Sequence, residues 1–222
     1  MNDNEETAVS HEQLTLTADQ LDQLAGFLQE LPNPVRIHYW GSPQASPEEM
    51  EALRLCQALA EHFAPISLHA FPRRANYAYY PVLGIMGEKD GEKVDYGVRI
   101  IGLPAGYQIT SLIAAIQAVS FQGVTLEPLT RIKLQKLNTD VTLELVTDLE
   151  DEGGTLVAKT IFGLAVAHER IQSYLLMSNM FPDTIVRYSV YRVPHLVING
   201  RTHLTGVADE ETILQHIGRA VK

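Results

Sequence analysis

Cys56 is the only cysteine in a chain of 222 residues, so thiol chemistry is the first to weigh. Dithiol–disulfide exchange needs one thiol to attack and a second to resolve the mixed disulfide. This chain supplies one at most. Cys56 also falls inside a helical stripe formed by Leu53, Cys56, Leu59, Ala60 and Phe63. A free cysteine in such a place acts as a small core hydrophobe, whereas a reactive thiol needs exposure and a positive neighbourhood. Packing is therefore the expected role of Cys56, and a monothiol enzyme using it is the alternative.

Other residue types offer less. The acidic run Asp148, Glu150, Asp151 and Glu152 has the oxygen donors of a hard-cation site but not the spacing of a calcium loop. Carboxylates ahead of a helix are accounted for by the helix dipole. Arg73, Arg74, Tyr77, Tyr79 and Tyr80 lead directly into Pro81 and are residue types enriched in binding hot spots. They form a candidate partner patch, or a surface loop whose rings pack on a sheet. The eight histidines show no His-x-His or His-x-x-x-His ligand spacing. Neither a Gly-x-Gly-x-x-Gly turn, a P-loop nor a nucleophile elbow is present, so no metal or cofactor is expected.

Local signals define the elements that must position these groups. Thr17 and Gln20 have capping-box spacing ahead of Leu21, Leu24, Ala25 and Leu28, one face of a helix. Residues 35–40 are rich in β-branched and aromatic types and read as a strand. Ser46-Pro47-Glu48-Glu49 is a strong helix start, with a capping serine, proline at the first turn and two acidic residues at the positive dipole end. Strands follow at 66–71, from 80 and at 94–101, then an apolar helix near 107–119. A connector at 122–130 leads to Leu129, Ile132, Leu134 and Leu137, then a strand at 141–146. A helix over 155–169 directs Leu156, Ile161, Leu164 and Ala165 to the core. A strand at 171–177, a short helix at 181–188, a strand over 193–201 entering the Asn199-Gly200 turn, and a helix at 209–221 complete the chain.

The layout occurs twice. Pro34 to Ser120 and Thr139 to Val221 each run strand, loop, helix, strand, a proline-led hairpin ending at glycine, and a closing helix. The organisation read from this is a disordered tail at 1–13 and two units, 14–121 and 122–222, with length differences confined to loops and hairpins.

Composition sets outer bounds. A formal net charge of -10 disfavours nucleic acid or an anionic membrane surface as the main partner. No apolar run reaches the about 18 residues needed to span a bilayer. The acidic start of the chain lacks the basic and apolar regions of a signal peptide, so a cytoplasmic location is expected.

Val193-Pro194-His195 with Ile198-Asn199 before a glycine turn resembles the Val-Pro-Thr segment of thioredoxins and glutaredoxins. Arg99 to Tyr107 and the helix after it resemble the Gly-x-Pro-x-Gly segment of tandem glutaredoxin-like proteins. Those are the archaeal protein disulfide oxidoreductases and the N-terminal domain of the flavoprotein component of alkyl hydroperoxide reductase. The resemblance spans residues 14–222. It implies an α/β fold of two tandem thioredoxin-like units, each a central mixed β-sheet flanked by helices. It also implies cis peptide bonds before Pro81 and Pro194, with grooves bordered by Tyr80, Pro81, Val193, Pro194 and His195.

In that family the redox pair sits at the start of the helix after each unit's first strand, where backbone N–H groups and the dipole favour a thiolate. The matching positions here are Ser46, Pro47 and Glu49 in the first unit, and Glu150, Asp151, Glu152 and Gly153 in the second. Neither holds sulfur. The function expected is a redox-inactive module for a protein or peptide partner. The alternatives are an accessory component of a disulfide- or peroxide-reducing system, and a monothiol enzyme using Cys56.

Overall fold

Alternation along the strands sorts the side chains onto two faces of one sheet. The computed structural model describes residues 16–221. The proposed tail at 1–13 lies outside them. The first unit comprises α1 (Ala18–Leu28), β1 (Val35–Trp40), α2 (Pro47–His62), β2 (Ile66–Phe71), β3 (Val82–Lys89), β4 (Glu92–Ile101) and α3 (Gln108–Ser120). The second comprises α4 (Pro128–Leu134), β5 (Val141–Thr147), α5 (Glu152–Ala167), β6 (Ile171–Met177), α6 (Asp183–Arg187), β7 (His195–Ile198), β8 (Thr202–Thr205) and α7 (Glu210–Ala220). In each unit a parallel βαβ crossover is followed by an antiparallel hairpin.

The sheets of the two units are one. Eight strands run in the order β2-β1-β3-β4-β6-β5-β7-β8, and the seam is a parallel pairing of Val98–Ile101 with Ser173–Leu176. One face buries Ile37, Tyr39, Ile85, Ile100, Leu143, Leu145, Leu175 and Ile198 beneath the long helices. The opposite face has its own smaller core around Trp40, Val82, Met86, Val146, Leu176 and Val197, covered by α6 and the segments before Pro81 and Pro194.

The capping box at Thr17 and Gln20 closes in both directions, and the Ser46 side chain accepts from the Glu49 N–H. Two expectations need correction. The helix read from Thr155 starts at Glu152, because Asp151 caps it and Gly153 and Gly154 form its first turn. Leu156 is consequently 58% exposed, and Val157, Ala158 and Ile161 fill the core. The helix at 128–134 keeps Leu134 inside but leaves Leu129 and Ile132 on the surface.

Candidate functional site

At the first matching position α2 begins under a cap, and the interest passes to Glu49. Its carboxylate is buried at 1% exposure. Oε2 accepts from the Ser42 N–H at 2.6 Å and from Arg73 Nε at 3.2 Å, and a second Arg73 nitrogen reaches Oε1. Tyr39 donates its hydroxyl proton to the Glu49 carbonyl at 2.9 Å. Ser46 spends its oxygen on the cap, and Pro47 is exposed on the first turn. A buried carboxylate with this many partners is a structural anion.

Asp151 plays the matching part in the second unit. One oxygen accepts from the Gly154 N–H at 2.9 Å and the other from Thr147 Oγ1 at 2.8 Å. Burial pushes its carboxyl above the usual carboxylate range despite those bonds. Gln108, buried at the start of α3, donates to the carbonyls of Asp148 and Asp151 and so locks the first unit against this loop. Glu150 and Glu152 are exposed. A Cβ on Gly153 would lie 3.6 Å from Pro194 Cδ and 2.7 Å from Val207 Cγ2, so this helix start lies beside the proline segment and tight against Val207.

The Tyr80–Pro81 and Val193–Pro194 peptide bonds are cis. The two prolines hold equivalent places: the Pro81 carbonyl accepts from Gly102 and the Pro194 carbonyl from Gly206, both at 2.8 Å. His195 finds its partners across the β7–β8 hairpin. It is 4% exposed, with Nε2 2.9 Å from His203 Nδ1 and Nδ1 3.1 Å from Thr205 Oγ1, and burial with His203 lowers its pKa. Cys56 is fully buried on α2, and burial drives its thiol up to about 12.

The arginine–tyrosine patch divides. Arg73 goes to Glu49 and lies 5.2 Å over the Tyr80 ring. Arg74 lies over Trp40 at 5.0 Å and Phe71 at 5.8 Å. The Trp40 ring can lie flat because Gly84 beneath it has no Cβ, which would fall 2.6 Å from the indole. Tyr77 accepts from Arg99 Nε at 2.9 Å, while Tyr79 stacks on Phe181 and donates to Asp183 of the second unit.

Tyr77 and Tyr79 also line a cleft of about 510 Å³ over the seam, with Arg99, Glu144, Gln172, Tyr174, Arg187 and Tyr188. Burial would raise the Asp95 carboxyl, but the twofold contact with Arg99 holds it below the usual range. Burial raises the Tyr174 and Tyr188 hydroxyls, the latter helped by Glu144, and the bond to Asp183 raises Tyr79. The rings stay protonated, neutral and able to hydrogen-bond. Sequence reading missed Glu144, Gln172, Tyr174 and Arg187. The one local signal, for the first three, is the polar residue at alternate positions of strands 141–147 and 171–177; Arg187, on α6, has none.

The alkylhydroperoxide reductase AhpF of Enterococcus faecalis V583, as its C503A mutant, superposes with a TM-score of 0.82 over 91% of this chain and 99% of that one, at 17% identity. A protein disulfide oxidoreductase from Aeropyrum pernix K1 gives 0.82 over 94% and 96%, at 22% identity. The chain has the tandem thioredoxin-like fold. Among curated proteins, an NADH dehydrogenase of Ferdinandcohnia aciditolerans is 22% identical over 161 residues, 72% of this chain. This tandem thioredoxin-like chain spans 30% of that relative's length. No protein-family model matches it. Among the described residues no helix is long and apolar enough to cross a membrane.

Proposed function

We propose that this tandem thioredoxin-like chain is a redox-inactive binding module for a protein or peptide partner, engaged along the grooves beside Pro81 and Pro194. The observation that carries this reading is the state of the two helix starts. At the helix starts that match the redox positions of the resembled family, Glu49 and Asp151 are buried, and each carboxylate oxygen accepts from an internal partner. Two further features support it. The strand ladders begin at Val82 and His195, so the Tyr80 and Val193 backbones lie outside them, suited to an extended chain. Beside the second groove Tyr191 is 96% exposed, an anchor of the type that dominates interfaces.

Insulin reduction with dithiothreitol tests the redox half: the rate with the protein is expected to equal the rate without it, and catalysis refutes the reading. Labelling of Cys56 by a thiol reagent is expected only after denaturation. Rapid labelling of the folded chain would instead favour a monothiol enzyme.

The superposition on the alkylhydroperoxide reductase AhpF supports a second reading, an accessory component docking onto a disulfide- or peroxide-reducing system. Affinity purification from the native cell separates the two, since only the second requires a redox enzyme among the captured proteins.

A further inference from the structure

The floor of the cleft over the seam is a polar patch set across three neighbouring strands. Register aligns Arg99 of β4 with Tyr174 of β6, and Tyr174 with Glu144 of β5. Two residues further along, the same face carries Ile101, Leu176 and Val146, which are buried in the smaller core. Two residues back on β6 and β5, Gln172 and Thr142 form another polar pair. The walls come from different units, residues 76–79 from the first and Thr184, Arg187 and Tyr188 from the second. Tyr79 ties them together through its bond to Asp183 and its stack on Phe181. The volume of about 510 Å³ falls within the range of about 300–1,000 Å³ usual for small-molecule sites.

Charge in this cleft is close to balance. Counting Asp95 behind Arg99 and Asp183 beside the Tyr79 hydroxyl that Arg187 also meets, there are three carboxylates and two guanidinium groups. Asp95 holds Arg99 by two bonds, and Glu144 accepts the Tyr188 proton with one oxygen. An anion would face the surplus carboxylate and a cation the two guanidinium groups, so a neutral ligand fits best. The hydrogen bonds left over are of both kinds. Tyr77 accepts from Arg99, which leaves its proton to donate. Gln172 accepts from Tyr174 at 3.0 Å, which leaves its NH2 group. The second oxygen of Glu144 can accept, and the Thr142 hydroxyl can do either. Among these groups sits the half-buried ring of Tyr174, which has no ring or cation partner among the described residues.

We propose that the seam cleft is a binding site for a neutral saccharide, whose hydroxyls share Glu144, Gln172, Thr142 and Tyr77 while its C–H surface lies against Tyr174. Each sugar hydroxyl both donates and accepts, which matches the mixed set of groups on the floor. Such a ligand can displace water from the floor and reproduce the bonds that water made there. The tyrosine ring supplies the apolar contact that water cannot. Both units are required, since each contributes one wall and part of the floor. The site is distinct from the two proline grooves and does not depend on a peptide binding there.

Saturation-transfer NMR and calorimetry on the full chain test this with maltose, cellobiose and lactose, each beside counterparts carrying one carboxylate or one amine. At least one neutral disaccharide is expected to bind with a Kd of about 1 mM or tighter, and its charged counterparts about tenfold more weakly. Tyr174→Ala should weaken the neutral sugar about tenfold. Gln172→Ala, at an exposed position, and Tyr77→Phe, which keeps the ring, should each weaken it a few-fold, and they carry the test if Tyr174→Ala does not fold. The same sugars coupled to serum albumin, with bare albumin as the control, separate two sources: binding of the free sugar assigns a soluble saccharide, and binding of the coupled form alone assigns a glycan. No binding of a neutral sugar in either form overturns the proposal. So does a charged counterpart that binds as tightly, or binding that none of the folded cleft variants weakens.

Discussion

The carboxylate of Glu49 lies against the guanidinium of Arg73, and this pair ties the first turn of α2 to the loop leading into Pro81. The two ends differ in environment: the Glu49 side chain is 2% exposed and that of Arg73 46%. The start of the helix and the proline groove are therefore held together through a buried anion and a half-solvated cation.

That asymmetry gives an order of stabilities. Arg73→Ala strands a charge inside the protein and should cost about 2–4 kcal/mol. Glu49→Gln keeps an acceptor for the Ser42 N–H and leaves Arg73 in water, at a cost of about 1 kcal/mol. Urea denaturation midpoints read both directly. Equal costs, or the reverse order, would show that the pair is not what holds the loop.

Stability should fall on acidification because of His38. The ring is 7% exposed on the sheet, and burial, with Lys93, His69 and Arg99, lowers its pKa from 6.5 to about 4. The folded state thus binds this proton less well than the unfolded chain does. Its contribution is complete above about pH 6.5 and is lost as pH falls toward about 4, on the order of 1–3 kcal/mol. His195 shifts in the same direction and adds to the loss. His38→Phe keeps the ring contacts with Trp40 and Phe71 and should flatten the pH dependence. Denaturation midpoints at about pH 7.5 and about pH 4.5 supply the comparison, and an unchanged slope in the variant would sink the assignment.

The repeat makes a paired prediction at Gly102 and Gly206, which donate to the carbonyls of Pro81 and Pro194. Both have positive φ, 105° and 86°. A Cβ at Gly206 meets open space, whereas at Gly102 it would sit 2.7 Å from Met177 Cβ. Gly206→Ala should cost about 1 kcal/mol from backbone strain alone, and Gly102→Ala about 2–4 kcal/mol because packing must also give way. Thermal melts of the two variants settle whether the equivalent positions carry unequal loads.

Much of the scaffold was legible from short-range pattern. Thr17 and Ser46 announce their helices by hydrogen bonds that close within three residues. The parallel order of Pro81 with Gly102 and of Pro194 with Gly206 reappears as two matching bonds. Leu156 went astray for a local reason: the Gly153-Gly154 pair masks a helix start that Asp151 makes, and a shifted start rotates the apparent face. His195, which the resemblance puts at the border of the second groove, pairs with Thr205 in the β7–β8 ladder and reaches His203 diagonally across it.

By itself the sequence determined which chemistry is missing and in what order the elements come, since a thiol count is composition and periodicity reports burial along one element. Tertiary structure alone decided that β4 and β6 join two units into one sheet. It likewise made Glu49 and Asp151 buried hydrogen-bond acceptors and brought Tyr77, Arg99, Glu144, Tyr174 and Arg187 around one cleft. Those residues are far apart along the chain, and no local pattern encodes which strands will be neighbours. Their proximity follows from the packing of whole elements, where hydrophobic burial sets the contacts and polar groups take the partners that remain.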